Sequence, residues 1–310
     1  MSAGAAPAGV PAAPGLAAVV VNHNAGPALV ACLASLRKAG IATVVVVDNA
    51  SSDGSLEAVA AADPAAILVP TGGNLGYGTA VNRGMGRCSE ELVLVCNPDL
   101  VVDGGAPLAL AAALEADPGV AVVGPLIVDE GGATYPSARA FPSPAVAVLH
   151  AVVSLVRPDN RWSRAYRREQ PEAPAEREAD WVSGACMLVR RTAFASVGGF
   201  DEAYFMYVED LDLCWRLRRA GWRVRYAPGA RVLHVQGLSA GRHPYRMLAA
   251  HHASAWRFAL RSTHGPARLA LPAVAAGLAA RLAAAEARQA SHALRRPYRS
   301  GRARRPAGLE

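Results

Sequence analysis

From Leu16 to Val123 the chain alternates short apolar runs with segments whose apolar positions recur at helical spacing. Leu16–Val21, Thr43–Val47, Ala66–Val69, Leu92–Cys96 and Val120–Val123 are runs of strand length. Between them Pro27–Ala39, Gly54–Ala62, Thr79–Cys88 and Ala106–Ala116 read as helices. Such a βαβα series predicts an α/β fold, a mostly parallel, Rossmann-like sheet with right-handed crossovers and flanking helices. Ligands of these sheets bind beyond the carboxyl ends of the strands. Here those ends carry Asn22-His23-Asn24, Asp48-Asn49-Ala50-Ser51-Ser52-Asp53, Gly72-Gly73-Asn74-Leu75-Gly76 and Asn97-Pro98-Asp99. Four strand ends are thus predicted to converge on one polar edge.

The chemistry of that edge can be narrowed. The turn after the first run, Asn22-His23-Asn24-Ala25-Gly26-Pro27, lacks the G-x-G-x-x-G spacing of a dinucleotide site, and the chain has no Walker A sequence. An acidic residue after a strand suits instead a nucleotide whose diphosphate Asp99 holds through Mg²⁺ or Mn²⁺, cations that prefer carboxylates and phosphate oxygens. A second acidic region follows the glycine-containing stretch Trp181-Val182-Ser183-Gly184-Ala185-Cys186: Asp201-Glu202 and then Glu209-Asp210-Leu211-Asp212. Two separate acidic turns suggest a metal site facing a general base.

Composition limits the context. With 310 residues, 52% of them hydrophobic, the chain can bury a full core. Residues 264–310 carry nine arginines against Glu286 and Glu310, which accounts for the whole net charge of +7. A neutral body with a basic tail suits an anionic membrane surface better than nucleic acid, because the only aromatic residue in the tail is Tyr298. Leu269, Val274, Leu278 and Leu282 recur there at near-helical spacing, so the tail reads either as an amphipathic membrane contact or as a helix packed on the body. Five widely spaced cysteines without a CxxC pair fit a reduced, cytosolic setting. Residues 1–15, nearly all Ala, Pro and Gly, read as a disordered leader. No uninterrupted apolar run reaches the ~18 residues of a membrane span. The longest candidate, Ala145 to Val156, is broken by His150 and Ser154 and reads as a core helix ahead of one lying in a bilayer interface.

Four motifs in order, Val44 to Ser55 around Asp48-Asn49-Ala50-Ser51-Ser52-Asp53, Asn74-Leu75-Gly76-Tyr77-Gly78, Asn97-Pro98-Asp99 and Glu209-Asp210, resemble the family 2 inverting glycosyltransferases of the GT-A fold. The resemblance covers roughly residues 16–263, a nucleotide-sugar half to residue 135 and an acceptor half after it. A finer similarity lies in Pro70 to Arg83, Tyr135-Pro136-Ser137-Ala138-Arg139, Tyr204-Phe205-Met206-Tyr207 and Ala250-His251-His252. It points to members that move L-rhamnose from dTDP-L-rhamnose to a polyprenyl-diphospho-N-acetylglucosamine in cell-wall linker synthesis.

The resemblance implies roles for single residues. Asp99 would bind a metal bridging the donor's phosphates, with Asn97 standing where the family motif begins with an aspartate. By itself Asn97-Pro98-Asp99 also reads as an Asx-turn closing a strand. Asp48 would contact the nucleobase, its alternative being a helix cap. Asn74, Asn82 and Arg83 match positions near the nucleotide, although a helical arginine is often a solvated charge. Asp210 matches the general base, with Glu209 beside it toward the acceptor; carboxylates in a first turn also complement a helix dipole. His234 matches a metal- or diphosphate-binding histidine or is a packed one. Apart from the resemblance, Trp181, Ser183 and Gly184 precede a strand beside the polar edge and would frame the acceptor sugar, with Trp181 reading equally as a core residue. The implied enzyme works on the inner face of the plasma membrane, with its oligomeric state open. Its alternatives are a relative that uses another dTDP- or UDP-sugar and a non-catalytic nucleotide-sugar-binding protein.

Overall fold

The computed structural model describes residues 15–141, 175–235 and 244–295, with side chains to residue 287. The leader to residue 14 and the Ala145–Val156 run lie outside the described residues. Strands β1 (Leu16–Asn22), β2 (Thr43–Asp48), β3 (Ile67–Pro70) and β4 (Leu92–Cys96) pair in parallel in the order β3-β2-β1-β4. Helices α1 (Pro27–Lys38), α2 (Ser55–Ala62) and α3 (Tyr77–Met85) make the crossovers, as the periodicity predicts to within two or three residues at each end.

The strands read as continuous apolar runs because both faces of the sheet are covered. Ala18 and Val20 pack with Leu29, Leu33 and Leu36 of α1, while Ala17, Val19 and Val21 pack with Ala80, Val81 and Met85 of α3. Gly84 lets α3 lie close to the sheet, since a Cβ there would stand 2.5 Å from a Val19 methyl and 2.9 Å from a Val47 methyl.

Beyond β4 the topology departs from a simple βαβ series. The chain adds β5 (Leu100–Val102), α4 (Ala106–Glu115), β6 (Val120–Val128), β7 (Thr134–Tyr135), β8 (Ala138–Arg139), β9 (Arg177–Ala179), β10 (Trp181–Val182) and β11 (Cys186–Arg190). It continues through α5 (Arg191–Ser196), α6 (Glu209–Arg219) and β12 (Arg223–His234). The main sheet runs β3-β2-β1-β4-β11-β6-β12-β5. β11 is antiparallel to both β4 and β6, and β6 is parallel to β12, so β1, β2, β3, β4, β6 and β12 all point one way. A separate two-stranded ribbon pairs β8 with β10. The antiparallel insertion brings the residues just before β11 to the carboxyl end of β4.

After β12 come α7 (Pro244–Ser262), a 3₁₀ turn (Gly265–Ala270) and α8 (Leu271–Arg295). α7 is tied to the body by Arg257 and Arg261, which pair with Asp201 at 3.3 and 2.5 Å, and by the Ser254 hydroxyl, which donates to the Met206 carbonyl at 2.9 Å. Ala275, Leu278, Ala279 and Leu282 of α8 line one open cavity together with His252 and Trp256 of α7. The search for unbroken apolar runs passes over one stretch: Gly265–Ala287 is helical over 23 residues, and its most apolar window, of mean hydropathy 1.4, is by length and composition apolar enough to cross a membrane. Arg268 and Arg281 interrupt the apolar run in sequence, but alanines keep its average high. Only 6% of its most apolar window is buried against the body.

Candidate active site

The polar edge can be followed residue by residue across the sheet. At its first end Asn22 and Asp48 close β1 and β2 in register, both buried. The Asp48 carboxylate accepts from the Asn22 amide at 2.8 Å, the Ser51 hydroxyl at 2.6 Å and the Ser51 backbone N–H at 3.0 Å. Asn22 also donates to the Ser55 hydroxyl at 2.8 Å. Asp48 therefore anchors the turn after β2, and it does not cap α2, whose N-cap is Gly54.

Next comes the Asn74-Leu75-Gly76-Tyr77 turn. Exposed Asn74 folds back, its side-chain oxygen accepting the Gly76 N–H at 3.1 Å, an Asx-turn. Gly76 has φ +87°, and a Cβ there would lie 2.1 Å from the Phe205 carbonyl oxygen, so only glycine admits that loop. Tyr77 donates its N–H to the same carbonyl at 3.0 Å and its hydroxyl to the Gly184 carbonyl at 2.5 Å. This turn thus holds the segment leading into Glu209 and Asp210. Asn82, predicted near the nucleotide, instead ties α3 to the Phe200 loop: its amide donates to the Phe200 carbonyl at 2.9 Å and its oxygen accepts the Phe200 N–H at 2.9 Å. Arg83 is exposed on α3.

At the end of β4 the Asn97 N–H donates to the Ala185 carbonyl at 2.9 Å. Asp99, two residues on and buried, lies with its Oδ1 3.2 Å from His234 Nε2. The two residues proposed from sequence for a metal are thus neighbours although they are 135 positions apart. His234 Nδ1 is buried with no hydrogen-bond partner among the described residues. No cluster of three or more histidine, cysteine or acidic side chains suited to a metal occurs among the described residues.

One residue before Ala185, the Gly184 N–H donates to Asp210 Oδ2 at 2.8 Å. Asp210 opens α6 with Glu209, after Tyr207 and Val208 in the left-handed region at φ 67° and 69°. Asn24 and Ala50, also left-handed, sit in the turns after β1 and β2, so every described non-glycine with positive φ borders this edge. Such backbone costs about 1–3 kcal/mol per residue and persists where the surroundings over-determine it. The three carboxylates of the first turn have separate fates. Asp212 is fully buried and paired with Arg216 at 2.7 Å, with Arg261 at 3.5 Å. Asp210 is held by Gly184, and Glu209 keeps Oε2 buried and without a partner. Burial raises the pKa of both Glu209 and Asp210; their mutual repulsion adds to this at Glu209, while the Gly184 N–H and the Arg139 charge oppose it at Asp210. Burial, more than the crowding expected from sequence, is the main cause.

Beyond Gly184 the ribbon closes the edge. The Ser183 N–H donates to the Ser137 carbonyl at 2.7 Å and Trp181 faces Arg139 across β8 and β10. The Trp181 indole is partly exposed and donates to the Ala140 carbonyl at 3.3 Å. Asp48, Asp99, His234, Trp181, Ser183, Gly184, Glu209 and Asp210 therefore share one continuous edge, whereas Asn82 faces the Phe200 loop. Sequence reading missed Asn22, Tyr77, Arg139 and the strained Tyr207-Val208 pair. Tyr77, Arg139 and Tyr207 carried a signal inside motifs whose roles the sequence left unassigned, and Asn22 stood in a polar strand end; Val208 lay outside these motifs.

Comparison with known proteins gives the family and the fold. Residues 17–198 match the family model described as glycosyl transferase family 2. The N-acetylglucosaminyl-diphospho-decaprenol L-rhamnosyltransferase of Mycobacterium tuberculosis is 46% identical over 256 residues, 78% of this chain and 83% of that protein. Among solved structures, a mannosyltransferase from Pyrobaculum calidifontis in complex with GDP-Man and Mn²⁺ aligns with a TM-score of 0.54 at 20% identity, covering 92% of this chain and 81% of its own. GalNAc-T7 with UDP, GalNAc and Mn²⁺ aligns with the same TM-score at 16% identity over 72% of this chain and 44% of its own. Both likenesses are of fold. The chain is a glycosyltransferase of the GT-A fold and belongs to glycosyl transferase family 2.

Proposed function

We propose that this chain is an inverting rhamnosyltransferase that moves L-rhamnose from dTDP-L-rhamnose to a polyprenyl-diphospho-N-acetylglucosamine. Donor and acceptor follow the relative that is 46% identical. The observation that carries the mechanism is the backbone bridge from Asn97 to Ala185, which sets the Asp99–His234 pair beside the Gly184–Asp210 pair.

In this reading the donor lies along the edge with its base near Asp48 and its diphosphate near Asp99. Asp99 and His234 would hold a divalent cation such as Mg²⁺ or Mn²⁺: they offer a carboxylate and an imidazole 3.2 Å apart, and the imidazole's other nitrogen is buried without a partner among the described residues. When bound, such an ion would neutralise charge developing on the leaving diphosphate. Asp210 takes the proton of the acceptor hydroxyl. The hydroxyl oxygen bonds to the anomeric carbon from one face as the carbon–oxygen bond to the diphosphate breaks on the other, its electron pair leaving with dTDP. Glu209, buried and unpaired, stays protonated more readily than a free glutamate and can donate to the acceptor sugar. Ser183 and Trp181 stand next along the edge to frame that sugar.

The acceptor class implies a membrane nearby. We place the exposed, apolar face of α8 and the arginines beyond it on an anionic inner leaflet, where each arginine contributes on the order of 1 kcal/mol.

A panel of dTDP- and UDP-sugars offered with a short polyprenyl-diphospho-N-acetylglucosamine tests the activity by product mass. A deoxyhexose increment from dTDP-L-rhamnose is expected, and transfer of a hexose from a UDP-sugar would replace this reading.

Calorimetry with dTDP tests the metal pair. Mn²⁺ should tighten dTDP binding to the wild type and leave binding to Asp99→Ala nearly unchanged; equal enhancement in both would remove Asp99 from the site.

Flotation with anionic and neutral vesicles tests the tail. The full chain should bind anionic vesicles in a salt-sensitive way and a chain ending at Thr263 should not; unchanged binding after truncation would place the membrane contact elsewhere.

A further inference from the structure

Arg139 stands where the edge ends, and nothing in the reading above uses it. Its guanidinium carbon lies 5.5 Å from the centre of the Tyr135 ring and 5.2 Å from that of Trp181. Its Nε donates to the Pro136 carbonyl at 2.8 Å. The terminal nitrogens have no carboxylate to pair with among the described residues, and Asp180, adjacent to Trp181, is taken by Arg218 at 2.9 Å. An arginine held between two rings, its fork unspent, is pre-organised for a bidentate oxyanion such as phosphate.

Its position decides which phosphate. Along the edge the order is Asp99 with His234, then Asn97 bonded to Ala185, then Gly184 bonded to Asp210, then Ser183 bonded to Ser137, then Trp181 opposite Arg139. Asp210 thus lies between the Asp99–His234 pair and Arg139. Inverting transfer needs the incoming hydroxyl and the departing diphosphate on opposite faces of the anomeric carbon, so the acceptor extends from Asp210 away from Asp99, toward Arg139. An acceptor that is itself a sugar diphosphate brings two phosphates to that end. The Arg139 charge also bears on Asp210, in keeping with a place near the reacting hydroxyl.

We propose that Arg139, clamped between Tyr135 and Trp181, binds the diphosphate of the acceptor and so selects diphosphate-linked over uncharged acceptors. This rests on the acceptor class proposed above.

The test compares wild type, Arg139→Gln and Arg139→Lys on N-acetylglucosamine linked through a diphosphate to a short isoprenyl chain and on the same sugar carrying a neutral alkyl group. Losing a charge-assisted phosphate contact should raise the KM for the diphosphate acceptor about 10- to 100-fold in Arg139→Gln. The KM for the neutral acceptor and for the dTDP-sugar should stay unchanged. Arg139→Lys, which keeps the charge but not the fork, should fall between, and thermal midpoints of both variants guard against a folding defect. Equal losses on the two acceptors, or a raised donor KM, would overturn the assignment. A wild type that uses the neutral acceptor and ignores the diphosphate would instead overturn the acceptor reading itself.

Discussion

The arrangement depends on β11 running antiparallel between β4 and β6. In a purely parallel sheet the neighbour of β4 would present another carboxyl end, and the residues preceding β11 would sit on the opposite side of the sheet. Because β11 is reversed, its leading turn meets the end of β4, and the bond from the Asn97 N–H to the Ala185 carbonyl locks the two together. Gly184, next in line, then delivers a backbone N–H to Asp210. Glycine at 184 matters, since a Cβ there would press on Asp210 Cβ at 3.2 Å. One register therefore fixes the spacing between the residues that face the leaving group and the residue that faces the nucleophile.

The site is also where the protein gives up stability. Tyr207 and Val208 hold left-handed backbone, Glu209 buries an oxygen without a partner, and Asp210 is raised by burial. The surroundings compensate. Asp212, in the same helical turn, is neutralised by Arg216 and Arg261, the latter also pairing with Asp201, while the Tyr77 N–H holds the Phe205 carbonyl from the other side. The acidic turn of α6 thus combines one carboxylate that stabilises the fold with two that the fold holds in an unfavourable, reactive state.

The parallel half was legible in the sequence because burial on both faces turns each strand into an unbroken apolar run, and its polar ends then stand out. β11 was not: Cys186–Arg190 is too short to declare its direction, which is set by pairing with β4 and β6. Asp48, Asp99 and Asp210 were legible through motif order, but the pairing of Asp99 with His234 follows from the path of β12 across β5 and β6. Asn22 and Asn82 show the converse. An asparagine at a strand end or in a helix carries no mark of its partner, and these two spend their amides on Asp48 and on the Phe200 loop. The Arg139 stack joins segments some forty residues apart in sequence, beyond any local pattern.

The central claim is that Asp210, anchored by Gly184 and raised by burial, is the base. A base works only when deprotonated, so the rate must fall as pH drops through its raised pKa. The pH profile of kcat/KM for the acceptor is the most direct measurement, taken on wild type and on Asp210→Asn. The wild-type acid limb should lie above 3.8, the usual aspartate value. In the variant that limb should vanish while turnover falls by ~10²–10⁴ and dTDP affinity stays unchanged. A wild-type limb at the ordinary aspartate value, or a variant that keeps both limb and turnover, would contradict the account.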